Sequence, residues 1–304
     1  MVEGLFTAER KKLFQQLLSK KVLAFSKFNK FEETVIASNA DKGQRLSVQL
    51  SNLLLKKIGE TAGLEPELLI EKQKGQTSGN DFETLCAEYL QSTFLSLKHL
   101  RPGDWLVEKV GGRSSGILGR YEQYAHLAEL SELIKDYAQL KSVLGDGYTI
   151  APDIVVARLP ESDEAINSGK AIVDSVTCKA SKLRKANHSN PDNPEQLIHA
   201  SISCKFTMRS DRAQNSRTEA LNLLRSRKGR APHIVALTAE AVPSRIASLA
   251  MGTGDIDCVY HIALYELLEA TEALGKDDAL ASLQDMILGK RLKDISDLPL
   301  DLAI

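Results

Sequence analysis

Residues 148–157, Tyr-Thr-Ile-Ala-Pro-Asp-Ile-Val-Val-Ala, form an apolar run that begins where the helical spacing of the preceding residues stops. A run of this length and content reads as a buried strand, with Pro152 confined to its kink or edge. Residues 199–206 then alternate, with Ile202, Cys204 and Phe206 on one face and Ser201, Ser203 and Lys205 on the other, and residues 233–237 are a further buried strand. Around these strands the spacing is helical at 7–19, with Thr7 available as N-cap, and at 46–58, 81–97 and 121–144. It is helical again at 210–226, with Ser210 or Asp211 as cap, and at 243–250 and 258–274. Strands alternating with helices predict an α/β fold, a mixed sheet between helices. Residues 75–80 read as a polar loop before the third helix, and residues 160–196 as a long surface excursion with little core of its own.

No Pro/Gly/Ser-rich linker divides the 304 residues. One domain spanning 1–304 is therefore expected, with a mainly helical part at 1–145, the sheet core at 146–240 and a helical part at 241–304. The sequence has no apolar run long enough for a bilayer and no charged-then-apolar leader, which predicts a soluble, cytoplasmic protein with no membrane partner. Cys86, Cys178, Cys204 and Cys258 are scattered, without a C-x-x-C pair, and read as reduced thiols. No phosphate-cradling glycine loop, no dinucleotide fingerprint, no nucleophile elbow and no H-x-x-x-H pair is present. What chemistry the chain performs must rest on carboxylates and lysine.

The net charge of −1 conceals a local surplus, because residues 201–230 hold eight Lys or Arg against Asp211 and Glu219. That surplus is enough to track a phosphate backbone. The seven Lys or Arg of residues 9–30 surround Leu13, Phe14, Leu17 and Leu18 at helical spacing and read as a solvated helix face. Hydrolysis of a phosphodiester needs an activated water, neutralised transition-state charge and a stabilised leaving oxygen, and carboxylates holding Mg²⁺ supply all three. The candidate set is Asp153 at a strand start, Lys205 on the polar face of the next strand, Glu219 in the following helix and Glu83 in an earlier one.

Pro152-Asp153 and Ser203-Cys204-Lys205 resemble the two halves of the PD-(D/E)xK nuclease core. The resemblance implies metal ligation by Asp153 and the backbone carbonyl of Cys204, and a hold by Lys205 on the attacking water or the scissile phosphate. The sequence departs from the pattern at Ser203, where an acid is expected. Glu219, with thirteen residues between it and Lys205, is the natural replacement. Spacing alone favours a turn aspartate, an exposed lysine and a solvated glutamate, and the residues around the three change that weighing.

Arg209-Ser210-Asp211-Arg212, directly after the lysine strand, resembles the recognition element of restriction enzymes whose sites share a CCGG centre. In that group two arginines donate to guanine and an aspartate accepts from cytosine; locally the same residues also read as a capped helix start. The likeness extends over most of the chain to the NgoMIV-type type II restriction endonucleases, through residues 5–10, 38–41, 75–83, 101–105, 148–153, 199–205, 209–217, 243–245, 252–267 and 289–297. It is weakest at 20–35, 59–70 and 160–196.

This resemblance implies Mg²⁺-dependent cleavage of double-stranded DNA at GCCGGC after the first G, two Mg²⁺ per active site, and a homotetramer built as a dimer of dimers. By position it assigns Glu83, Asp153, Ser203, Cys204, Lys205 and Glu219 to the active site, and Arg209, Asp211 and Arg212 to the CCGG centre. Asp41 and Arg245 are assigned to the outer base pair and Gln76 to the minor groove. The alternatives are a nuclease of the same core with a repair or nicking target, and a sequence-specific DNA-binding protein without catalysis. The joint presence of Asp153, Lys205 and Glu219 favours a nuclease.

Overall fold

The computed structural model describes residues 3–70, 75–110, 117–136, 152–208, 210–252 and 254–304. Helix α1 (Leu5–Ser19) leads to a hairpin of β1 (Phe25–Lys30) and β2 (Glu33–Ala37), helix α2 (Arg45–Ala62), the short β3 (Leu68–Leu69) and helix α3 (Gly75–Phe94). Next come β4 (Trp105–Lys109), α4 (Ala125–Asp136), β5 (Ile154–Arg158), the one-turn α5 (Asp163–Ile166), β6 (Leu197–Lys205), α6 (Ser210–Ser226) and β7 (His233–Thr238). The chain finishes with α7 (Pro243–Ala250), β8 (Cys258–His261), α8 (Leu264–Ala273), α9 (Asp277–Leu288), β9 (Leu292–Asp294) and α10 (Leu298–Asp301).

Strands β4 to β9 lie side by side in chain order as a six-stranded sheet. The first three pair antiparallel and β6 to β9 pair parallel, so the sheet is mixed, as the alternation of elements predicts. Each parallel step requires a crossover, and α6, α7 and the α8–α9 pair supply them. Ile154, Val155, Val156 and Ala157 of β5 are buried in succession, which both faces of a covered strand demand. One hydrophobic cluster runs from Leu13 to Leu302 and joins the N-terminal helices to the sheet.

Several local expectations fail for physical reasons. Residues 258–261 are strand rather than helix. All four are buried in the parallel half of the sheet, and a short run that is apolar on every side carries no period by which strand and helix differ. Residues 75–80 are the first turns of α3 instead of a loop, and Lys109 fastens them: its ammonium donates to the Asn80 carbonyl and Oδ1, each at 2.7 Å, and to Thr84 Oγ1 at 2.9 Å. Tertiary contact overrides weak helix propensity there. Thr7 lies inside α1, whose N-cap is Gly4, and residues 122–124 form a 3-10 turn ahead of α4. The rest of the expected 121–144 helix, beyond Asp136, and the first residues of the 148–157 strand lie outside the described residues.

Arg10 is the exception to the solvated-face reading of the N-terminal charges. Its guanidinium is buried and makes paired hydrogen bonds to Glu266 and Asp294, which ties α1 to the C-terminal part of the fold. Such fork-to-carboxylate geometry compensates a charge that burial alone would penalise. Residues 160–196 contribute nothing to the main hydrophobic cluster. Polar pairs hold them instead, with Arg184 on Asp163 at 2.6 Å and His188 Nδ1 on Glu195 at 2.5 Å. All four cysteines are free thiols, and among the described residues no helix is long and apolar enough to cross a membrane.

His261 is fully buried, accepting from the Ala263 N–H through Nδ1 at 3.0 Å, so Nε2 is the donor to the Glu240 carbonyl at 3.1 Å. Burial lowers its pKa from 6.5 to about 4, against the opposing pull of Asp294. Between those values the unfolded chain binds a proton that the folded chain refuses, so stability falls as pH drops from 6.5 towards 4. Urea titrations at several pH values in this window are expected to show a shallower loss in His261→Asn than in wild type, by up to about 1.4 kcal/mol per pH unit. Parallel slopes would contradict this.

Candidate active site

Because β5 runs antiparallel to β6, with Ile154 opposite Ile202, the residue just before β5 faces the last residues of β6. Asp153 is that residue. Its Oδ2 accepts from the Cys204 N–H at 2.7 Å, and its carbonyl accepts from the Val110 N–H at 2.9 Å, so both neighbouring strands fix it. Lys205 ends β6 with its ammonium 3.5 Å from Asp153 Oδ2 and 3.7 Å from Glu219 Oε2. Glu219 projects from α6, the crossover that packs over β6. The lysine and the two carboxylates, separated by up to 66 positions along the chain, therefore meet at one end of the sheet.

Burial works against the charge on Lys205, but Asp153 and Glu219 outweigh it and its pKa is raised. The side chain stays protonated at neutral pH. Glu83, on α3, approaches from the other side and pairs with Lys109 at 3.4 Å. Its pKa is raised, first by burial and then by repulsion from Asp153, against the pull of Lys109 and Lys205. The site thus carries a surplus of negative charge that two lysines do not cancel. Ser203 Oγ, in a narrow crevice lined also by Pro152, Ser216 and Glu219, is buried without a hydrogen-bond partner among the described residues.

These features fit a hard divalent cation. The candidate donors are the Asp153 and Glu219 carboxylates and the Cys204 backbone carbonyl, all oxygen, and the local charge is negative. Among the described residues no three His, Cys, Asp or Glu side chains converge on one point. The protein would supply Asp153 and Glu219 and leave other positions to water and phosphate, as Mg²⁺ sites commonly do.

The residues assigned to base reading are placed unevenly. Asp41, in the turn before α2, and Arg245, in the first turn of α7, are 204 positions apart in sequence yet paired at 2.5 Å through Oδ2 and Nη2. Arg209 lies outside the described residues; Asp211 and Arg212 fall in the first turn of α6 and Gln76 in that of α3, and their side chains are not described.

Two residues escaped the reading of the sequence. Lys109 lies opposite Ile154 in the register of β4 and β5, beside Asp153, on a strand whose five residues gave too little pattern to be found. Glu240 is a carboxylate with no exposure at all, in a run of apolar residues after β7. A lone acid in such a run was the available signal.

The profile of the NgoMIV restriction enzyme family matches residues 13–304. The type II restriction enzyme NgoMIV of Neisseria gonorrhoeae is 48% identical over 300 residues, 99% of this chain and 99% of that one. The chain belongs to the NgoMIV restriction enzyme family. It is thus an enzyme of the type II restriction endonuclease class, a site-specific deoxyribonuclease. Among solved structures, the Bse634I restriction endonuclease with cognate DNA gives a TM-score of 0.38 at 12% identity, covering 86% of this chain and 98% of that one. A second Bse634I structure gives 0.33 at 14% identity, covering 87% and 99%.

For this NgoMIV-family enzyme, Asp153→Asn separates chemistry from architecture, since an amide oxygen can still accept from the Cys204 N–H. The variant is expected to melt within a few degrees of wild type and to lose cleavage by about 100-fold or more. A cleavage rate within about tenfold of wild type would remove Asp153 from the site.

Proposed function

We propose that the enzyme hydrolyses double-stranded DNA with Mg²⁺ at palindromes centred on CCGG, cutting G/CCGGC, in the cytoplasm of a prokaryotic host. The observation that carries the reading is the meeting of Asp153, Lys205 and Glu219 at the end of β6, the strand that in sequence leads into the segment of Arg209, Asp211 and Arg212. A chain with this resemblance and this carboxylate–lysine geometry is equipped for phosphodiester chemistry beside a base-reading element.

Asp153, Glu219 and the Cys204 carbonyl would hold the cation, with two ions expected per site. When bound, a divalent cation neutralises phosphoryl charge and lowers the pKa of water. Lys205, kept protonated by its carboxylate neighbours, holds a non-bridging oxygen of the scissile phosphate or orients the attacking water. Glu83, tethered through Lys109, adds a third carboxylate to the rim. Asp153 is held by main-chain bonds on both sides, so it contributes a fixed oxygen rather than one that must be ordered during reaction.

Recognition follows the edge chemistry of the bases. Arg209 and Arg212 would donate to guanine O6 and N7 and Asp211 accept from cytosine N4. The Asp41–Arg245 pair offers an acceptor beside a donor, which is the complement of an outer G·C pair. Gln76 would reach the minor groove. The working assembly is a homotetramer, a dimer of dimers with one duplex on each dimer.

Incubation of purified protein and Mg²⁺ with sequenced plasmids bearing one or two GCCGGC sites tests this reading. Fragments should end in CCGG 5′ overhangs at GCCGGC alone. The two-site plasmid should be cut faster, because the second duplex meets the other dimer at a high effective concentration. Cleavage away from CCGG, or indifference to the outer pair, would overturn the target; equal rates together with a dimeric mass would overturn the tetramer.

A further inference from the structure

Glu240 is completely buried, yet it is a carboxylate in a position where an apolar or amide side chain would avoid the cost of desolvating charge. Burial raises its pKa, opposed by its backbone donors and by Arg245. Its contacts show what the acid holds. Oε2 accepts from the Met208 N–H at 2.7 Å, and Met208 immediately precedes Arg209 in the sequence. Oε1 accepts from the Val242 N–H at 3.0 Å, at the N-cap of α7, and Oε2 lies 3.8 Å from Arg245 Nη1. That same Nη1 donates to the Met208 carbonyl at 3.2 Å. The Met208 residue is therefore clamped at its N–H by Glu240 and at its carbonyl by Arg245.

The turn around Glu240 extends these links. The Asn39 side chain, two residues from Asp41, donates to the Ala239 carbonyl at 2.8 Å. The Glu240 N–H donates to Thr238 Oγ1 at 3.0 Å, and that hydroxyl donates to the Lys205 carbonyl at 2.8 Å. Asn39, Thr238 and Glu240 are all buried, so none of these bonds competes with solvent.

We propose that the turn following β7, with Glu240 at its centre, is a positioning element that holds Arg245, the Met208 lead into the central readers and the end of the Lys205 strand in one fixed arrangement. Reading of the outer base pair is thereby coupled to reading of the CCGG centre and to hydrolysis. The proposal rests on the target proposed above and adds what links its parts. Glu240 touches neither base nor phosphate in this scheme and acts through the groups it holds.

The test measures kcat and KM on GCCGGC, on duplexes with an altered outer pair and on duplexes with an altered centre, for wild type, Arg245→Ala, Glu240→Gln and Thr238→Val. Arg245→Ala should lose most of the preference at the outer pair and a smaller part at the centre, because its Nη1 also holds the Met208 carbonyl. Glu240→Gln, melting as a folded protein, should lose about tenfold in kcat/KM discrimination at the outer pair and a measurable part of that at the centre. Thr238→Val should lower kcat on GCCGGC about tenfold with little change in KM, since it removes the hydroxyl that joins the Glu240 N–H to the Lys205 carbonyl. A folded Glu240→Gln with unchanged preference at both positions, or with loss at the outer pair alone, overturns the coupling. If Glu240→Gln does not fold, Thr238→Val decides, and wild-type kcat in that variant overturns the proposal. Wild-type enzyme without preference for GCCGGC overturns the underlying target and the proposal with it, a failure visible before any variant is made.

Discussion

The antiparallel pairing of β5 with β6 is the constraint on which the site depends. Because Ile154 faces Ile202, the backbone N–H of Cys204 is presented to Asp153, and the 2.7 Å bond between them fixes an acid at the sheet end without a long side chain having to be ordered. Lys205 then follows as the next residue. Its ammonium, mostly buried, is tolerable only because Asp153 and Glu219 compensate it. A one-residue slip of this register would turn Lys205 to the opposite face and separate it from both carboxylates.

The second dependence is on parallel pairing. Strands β6 and β7 put Lys205 opposite Thr238, so the turn after β7 lies beside the exit of the lysine strand. From that turn the chain enters α7, which carries Arg245, while β6 continues towards Arg209. The proposed chemistry and the proposed base reading thus meet at one end of the sheet. The buried Glu240 carboxylate spans the gap between them through two backbone N–H groups.

Much of this was legible in the sequence, for identifiable reasons. The apolar run ending at Ala157 and the alternation ending at Phe206 are strong buried-strand and period-2 signals, and they placed Asp153 and Lys205 on successive strands of the chain before any geometry was known. Glu219 followed from the helix after β6. The substitution of Ser203 for an acid was visible as a departure from pattern, and its buried hydroxyl beside Glu219, without a partner among the described residues, gives that departure a physical setting. Lys109 was illegible because β4 is five residues long, and β8 because a strand buried on all sides has no period. The pairing of Asp41 with Arg245 joins positions 204 residues apart, a distance that only the assembled fold can close.

The central claim is that Glu219 supplies the acid that Ser203 does not. Single-turnover cleavage of a GCCGGC duplex in Mg²⁺ by wild type, Glu219→Gln and Glu219→Gln with Ser203→Glu tests it most directly. The expected result is a loss of about 100-fold in Glu219→Gln, with part of the rate restored by the second substitution. A Glu219→Gln enzyme that cleaves at the wild-type rate would show this carboxylate to be helix surface and contradict the account.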